Sequence, residues 1–179
     1  MAKTDVSEIQ GYELENIMTE LHGYGKDVPS HHELLIRMGE SLGVDRNGIL
    51  GSAPLPAIVK AIARWNWIAS ERTWIEAMAA MHLLELIANR ELERQGAKYQ
   101  CFNPEILSNG RVTREVRDFL KGEYEAGVFH SYRALDLVGI YCTPENIEDI
   151  QSSYLLSAGA FSDYLGARLE RGHMIENKQ

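Results

Sequence analysis

The stretch "ELHGYGKDVPSHHELLIRMGESLGVD", residues 20–45, predicts two helices separated by a sharp break. Gly23, Gly25 and Pro29 all oppose continuation of the first helix. Ser30, followed three residues later by a glutamate, is a capping-box signal that starts the second helix. A Leu-Gly pair near its end suits a C-terminal cap. The segment therefore predicts a helix–break–helix unit.

The same helical periodicity extends along the rest of the chain, with apolar residues recurring at spacings of three and four. We expect helices over 6–22, 30–42, 56–95 with a bend near Ser70, 113–124, 128–141 after an interruption at Gly127, and 143–171. No segment alternates between apolar and polar residues as a half-buried strand would. The sequence predicts a single all-α domain over 1–179, a bundle of six to eight helices, with a frayed tail from about 172.

Composition narrows the class of protein. The 179 residues are 45% hydrophobic and 25% charged, which suits a globular domain with a real core. A net charge of −8 argues against nucleic acid or an anionic membrane as a partner. The longest apolar run is too short to span a bilayer, and the first residues do not resemble a signal peptide. Cys101 and Cys142 are far apart, so we expect reduced thiols in a cytoplasmic protein.

The break near the N-terminus gathers groups that bind metals. Glu20 lies near the end of one predicted helix, while His31 and His32 lie in the first turn of the next. Two helix ends that meet at a short loop can place a carboxylate and an imidazole around one ion, and iron and manganese accept such mixed ligands. The alternative is that both histidines are solvated residues at a helix start.

A second group of polar residues falls on the apolar face of the 56–95 segment. His82, Glu85 and Asn89 follow helical spacing there. A buried carboxylate needs a hydrogen-bond partner or a metal. The alternative is that Glu85 pairs with an arginine such as Arg133 and that His82 bonds a backbone carbonyl. Glu76 is on a different face, where we expect it to be solvated.

A third group lies in "GVFHSYRALDLVGIY", residues 127–141. His130 and Asp136 are six residues apart, a spacing that is poor for joint coordination by one straight helix. Arg133 and Asp136 have the spacing of an ion pair on a helix surface. The chain has no P-loop, GxGxxG, GxSxG or HExxH sequence, which removes the enzyme classes that depend on those motifs.

The segment 20–45 resembles a stretch found in haem-oxygenase-like proteins, in which a glutamate precedes a Gly-rich turn and a histidine opens a helix that ends in a Leu-Gly turn. That superfamily includes the TenA and PqqC types and the haem-oxygenase-like diiron oxidases. The diiron members take a second glutamate from a later helix, as Glu85 is placed here, and end in an H-x-x-x-D-x-x-H helix. The predicted helix at 128–141 retains Asp136, while Tyr132 and Gly139 occupy the places of the two flanking histidines.

The resemblance, which covers residues 20–141, implies a haem-oxygenase-like bundle and a non-haem iron oxidase or oxygenase with a diiron centre. The small-molecule substrate would belong to a biosynthetic pathway and would be oxidised with dioxygen. The catalytic residues it implies are Glu20, Glu85 and Asp136, and the metal ligands it implies are Glu20, His31 or His32, Glu85 and Asp136, with His130 assisting.

The resemblance also leaves two other functions open. One is a metal-independent enzyme of the TenA or PqqC type, whose acids and histidines move protons around a bound heterocycle. The other is a non-catalytic helical binding or assembly protein. Because the chain begins closer to Glu20 than members of the superfamily do, the resemblance implies that one or two N-terminal helices are missing, and a homodimer would cover the apolar surface left exposed.

Overall fold

A computed structural model describes residues 4–23, 29–96 and 103–176 of the chain, and Gly25 and Cys101 lie outside these ranges. The described residues form helices and turns without a strand, so the predicted all-α fold class is confirmed. The helices are α1 (Ser7–His22), α2 (His31–Ser41), α3 (Arg46–Leu50), α4 (Pro56–Glu71), α5 (Trp74–Met81), α6 (Leu83–Ala88), α7 (Arg114–Tyr141) and α8 (Ile147–Glu176), with 3-10 helices at Arg90–Gln95 and Pro104–Ser108.

The ends of α1 and α2 follow the local signals in the sequence. Gly23 ends α1 with a positive φ of 73°, which only glycine adopts easily, and its N–H donates to the carbonyl of Thr19. Ser30 caps α2 by accepting a hydrogen bond of 3.2 Å from the backbone N–H of Glu33. Gly43 follows α2 with a φ of 88°. The predicted helix–break–helix unit is confirmed at these positions.

The 56–95 segment is not the nearly continuous helix that its periodicity predicts. α4 ends at Glu71, and Thr73 starts α5 through a complete capping box, in which its side chain and the carboxylate of Glu76 each satisfy a backbone N–H of the other residue. His82 ends α5, and α6 follows as a separate short helix. The T-x-x-E signal at residues 73–76 therefore outweighs the continuous apolar pattern.

α7 is the opposite case, because it runs unbroken through Gly127, where the sequence predicted an interruption. A Cβ built on Gly127 would lie 3.9 Å from the Cα of Glu85, so the backbone of α6 approaches α7 closely at this residue. A glycine inside a helix costs only about 1 kcal/mol relative to alanine. Tertiary packing therefore keeps the helix continuous.

α8 begins and ends later than the sequence indicates. Residues 144–146 form a turn, in which the side chain of Asn146 accepts a hydrogen bond of 2.8 Å from the N–H of Thr143. The helix itself starts at Ile147. It continues to Glu176, so residues 172–176 are helical where fraying was expected.

The chain folds into two compact units, Met1–Ser52 with Leu84–Arg133 and Ala53–Leu83 with Ala134–Gln179. The first unit contains α1, α2, α3 and most of α6 and α7. In the second unit, α8 packs against α4 and α5 around a core that includes Ile75, Ala79 and Ile150. Within the described ranges, no helix combines the length and the apolar character that a membrane crossing requires.

Candidate functional site

Three ionisable side chains converge in the first unit. Nδ1 of His31 lies 2.8 Å from Oε1 of Glu20 and 3.2 Å from Oε1 of Glu123. One ligand atom from each residue can be chosen so that all three atoms lie within 4.8 Å of one another. The imidazole is buried, while both carboxylates are partly exposed. The three residues are called the triad below.

Local structure places each member of the triad. Glu20 is three residues before Gly23, near the end of α1. His31 is the first residue of α2, because the Ser30 cap starts the helix there. Glu123 extends from α7. Three helices thus contribute one side chain each, and two of those positions depend on the caps around the α1–α2 break.

The charges of the triad affect one another. The hydrogen bond that His31 makes to the carboxylate of Glu20 raises the pKa of His31; burial opposes this shift, and the charges of Glu123 and Glu20 add to it. Burial raises the pKa of Glu123, and the charges of Glu20 and Glu85 raise it further, while His31 lowers it. His31 and Glu123 therefore each hold a proton more tightly than they would in water. The triad therefore favours the binding of positive charge, either a proton or a metal cation.

A second pair lies in the same unit. Nδ1 of His130 is 3.3 Å from Oε1 of Glu85, and the side chain of His130 is only 3% exposed. Nε2 of His130 is buried and has no hydrogen-bond partner among the described residues. The Tyr12 hydroxyl donates to the carbonyl of His130 at 3.0 Å, and the Tyr12 ring meets the imidazole edge-on. Because Glu85 also raises the pKa of Glu123, the pair and the triad are electrostatically coupled.

A cavity of about 330 Å³ opens beside His31. Its wall is mainly apolar and includes Leu34, Ala126 and Phe129, with Thr19 among the polar contributors. A space of this size and character suits a small organic molecule. A small molecule bound in this cavity would lie beside His31.

The donor set of the triad fits a metal ion. One imidazole and two carboxylates, all offered from helices, form the mixed nitrogen and oxygen set that iron and manganese accept. The short distances from His31 to Glu20 and Glu123 show that the three groups already face one another. Of the ligands that the resemblance implies, the triad contains Glu20 and His31, and its third member, Glu123, is not among them.

A protein-family model described as the TENA/THI-4/PQQC family matches residues 2–171. The chain belongs to the TENA/THI-4/PQQC family. This family is part of the haem-oxygenase-like superfamily, and its members are typically enzymes that act on small molecules. No curated protein matches the sequence.

Against this family background, the structure brings together only some of the side chains suggested by the sequence. Glu20 meets His31, whereas the neighbouring His32 is exposed. Glu85 meets His130. Asp136 belongs to the second unit, where its side chain is exposed.

Glu123 is the site residue that the sequence analysis missed. It lies seven residues before His130, so the two side chains share one face of α7. The predicted interruption at Gly127 divides this face between two helices, which hides the relationship. A continuous helix over 114–141 would have revealed it.

The structure also corrects the expected exposure of Glu76 and the suggested pairing of Arg133. Glu76, expected in solvent, is 5% exposed, and its carboxylate accepts hydrogen bonds from Thr73 at 2.6 Å, Ser153 at 3.0 Å and Arg72 at 3.3 Å. A capping role and three donors explain how a carboxylate can be buried there. Arg133, suggested as a partner of Glu85, forms an ion pair with Glu8.

Proposed function

We propose that this member of the TENA/THI-4/PQQC family is a non-haem iron oxidase or oxygenase that acts on a small organic substrate with dioxygen. The observation that carries the proposal is the convergence of Glu20, His31 and Glu123 beside a largely apolar cavity. A structural ion pair would need only two of these groups, whereas three ligand atoms from three helices suit a bound cation.

The chain's own residues have separate tasks in this proposal. The triad holds the ion, and bound iron supplies the one-electron chemistry that dioxygen activation needs. Leu34, Ala126 and Phe129 contact the apolar part of the substrate and exclude water from it. Glu85 and His130 lie 3.3 Å apart beside the site, where a proton can be held between them.

Iron analysis tests the proposal directly. The protein is reconstituted anaerobically with Fe²⁺ and desalted, and iron per chain is measured for the wild type and His31→Ala. His32→Ala is the matched control, because His32 is the adjacent histidine and is exposed. We expect His31→Ala to lose most of the iron and His32→Ala to keep it. Equal and negligible iron in all three proteins would reject the proposal.

A metal-independent enzyme of the same family is the second candidate. The raised pKa values of His31 and Glu123 favour it, because groups that hold protons more tightly are suited to general acid–base work near neutral pH. Turnover that survives exhaustive metal removal and a strong chelator, but not His31→Ala, would select this candidate. Turnover that stops with the chelator and returns with Fe²⁺ would exclude it.

We also propose that the enzyme is a homodimer. The observation in favour is an apolar stripe on α1, where Leu14, Met18 and Leu21 are 52%, 48% and 62% exposed. These residues lie at i, i+4 and i+7 and therefore share one face of the helix. A stripe of this kind is a surface that association would cover.

A further inference from the structure

On the face of α7 that carries Glu123 and His130, the position between these two residues is a glycine. Glu123, Gly127 and His130 lie at i, i+4 and i+7 on one continuous helix, so all three positions share that face. The first and last provide a carboxylate and an imidazole. The middle one has no side chain, and its Cα faces the backbone of Glu85.

The triad and the Glu85–His130 pair differ in the number of side chains that could bind a metal. The triad offers three ligand atoms within 4.8 Å of one another. Glu85 and His130 offer two side chains at 3.3 Å. Metal sites in enzymes commonly use at least three protein ligands. Within the ranges that the structure describes, the triad meets this number and the pair does not.

We propose that the chain binds one metal ion, at the triad, because the described residues group no third metal-binding side chain with Glu85 and His130 and because the position between Glu123 and His130 on this face of α7 is a glycine. This inference rests on the proposed function, and it specifies the metal content of the same site. It also differs from the diiron centre that the resemblance implies.

The surroundings of His130 agree with a role in which it does not bind the metal itself. One ring nitrogen is engaged by Glu85, and the ring and backbone are fixed by Tyr12. The imidazole therefore has a defined orientation without any ion. Glu85 and His130, whose side chains lie 3.3 Å apart, orient groups next to the ion rather than bind one of their own.

Metal stoichiometry tests the inference without relying on activity. The folded wild-type chain is titrated anaerobically with Fe²⁺ and separately with Mn²⁺, and bound metal is measured by calorimetry and by elemental analysis after desalting. We expect one ion per chain. Two ions per chain would overturn this inference and leave the proposed function standing, whereas no bound ion would overturn both.

Substitutions then locate the ion. His31→Ala should lose it, while Glu85→Gln and His130→Asn should each keep one ion per chain. Loss of the ion in Glu85→Gln or His130→Asn, with circular dichroism unchanged, would show that the pair is part of the binding site and would overturn the inference.

Gly127→Asp tests whether the missing side chain at residue 127 limits the number of bound ions, with Gly127→Ala as the matched control. A Cβ at this residue makes an ordinary contact of 3.9 Å, so both changes fit at that atom. We expect Gly127→Asp to bind two ions per chain and Gly127→Ala to bind one. A folded Gly127→Asp protein that still binds one ion would refute the role given to Gly127. If the aspartate prevents folding, the number of ions bound by the wild type and by the variants at residues 31, 85 and 130 still tests whether the chain binds one ion at the triad.

Discussion

At the scale of single residues, Tyr12 shows how a side chain outside the triad supports the site. It is buried, and its hydroxyl donates to the carbonyl of His130. Tyr12→Phe should lower the free energy of unfolding by about 1 kcal/mol, because a buried hydrogen bond is lost while the ring remains. Tyr132→Phe is the control, since its bond to Glu91 is exposed and its loss should have a smaller effect. Urea denaturation of both variants measures the difference, and equal losses would contradict the assignment.

Glu76 predicts a pH dependence of stability. Burial acts to raise its pKa, but hydrogen bonds from Thr73 and Ser153 and the charge of Arg72 together lower it below the usual value. A carboxyl whose pKa is lower in the folded state stabilises the protein above its ordinary pKa, about 4.3, and loses this effect as the pH falls through the lowered value. Glu76→Gln should cost about 1–3 kcal/mol at neutral pH. Melting temperatures measured from pH 3 to 7 should show the gap between wild type and variant closing at acid pH, and a constant gap would contradict the prediction.

Much of the site could not be predicted residue by residue, for physical reasons. The proximity of Glu20 and His31 could be predicted, because the break between their helices is encoded locally by Gly23 and the Ser30 cap. The partners of Glu85 were not, since the choice between an arginine and a histidine depends on how distant helices pack. Glu123 was missed because it shares a face with His130 only if α7 is one continuous helix, and tertiary packing decides that continuity.

At the scale of the elements, helix ends were predicted well around the α1–α2 break, where the caps are encoded within a few residues. The start of α5 at Thr73 was not predicted, although it too is encoded locally, and the start of α8 was placed too early. The continuity of α7, which packing decides, was predicted wrongly. Gly127 is the clearest case, and it gives a prediction. Gly127→Ala should leave stability unchanged or raise it by up to about 1 kcal/mol, because alanine favours a helix and its Cβ meets only an ordinary contact. Chemical denaturation checks this. A loss larger than about 1 kcal/mol would mean that α6 and α7 pack too closely at this residue to accept a methyl group.

The stripe on α1 gives a second prediction at this scale. Leu14→Glu combined with Leu21→Glu should convert a dimer to a monomer, because the charges lie on the apolar face and would be buried on association. Sedimentation equilibrium measures the change. Leu155→Glu is the control, since Leu155 is a similarly exposed leucine on α8. A monomeric wild type, or a dimer broken only by the control, would exclude α1 as the interface.

At the scale of the whole molecule, the sequence predicted the all-α class, because helical periodicity is repeated along the entire chain. It did not predict the division into two compact units, since nothing in a local pattern indicates which distant segments meet. α7 contributes to both units as one uninterrupted helix. The two units should therefore unfold together, as the prediction of a single domain requires.

The tryptophans make this testable. Trp65, Trp67 and Trp74, the three in the chain, all belong to the second unit. Their fluorescence reports that unit alone, while circular dichroism in the far ultraviolet reports the helices of both. We expect the two thermal transitions to coincide. Midpoints separated by several degrees would show that the units unfold independently and would contradict the single-domain prediction.

The position of His31 as the first residue of α2 has an electrical consequence. The start of a helix carries roughly half a positive charge from its aligned peptide dipoles. Glu20 and Glu123 both reach the side chain of this residue, so the backbone field acts on their carboxylates before any cation arrives. It offsets part of their mutual repulsion, so the proposed metal site can keep its geometry in the metal-free protein.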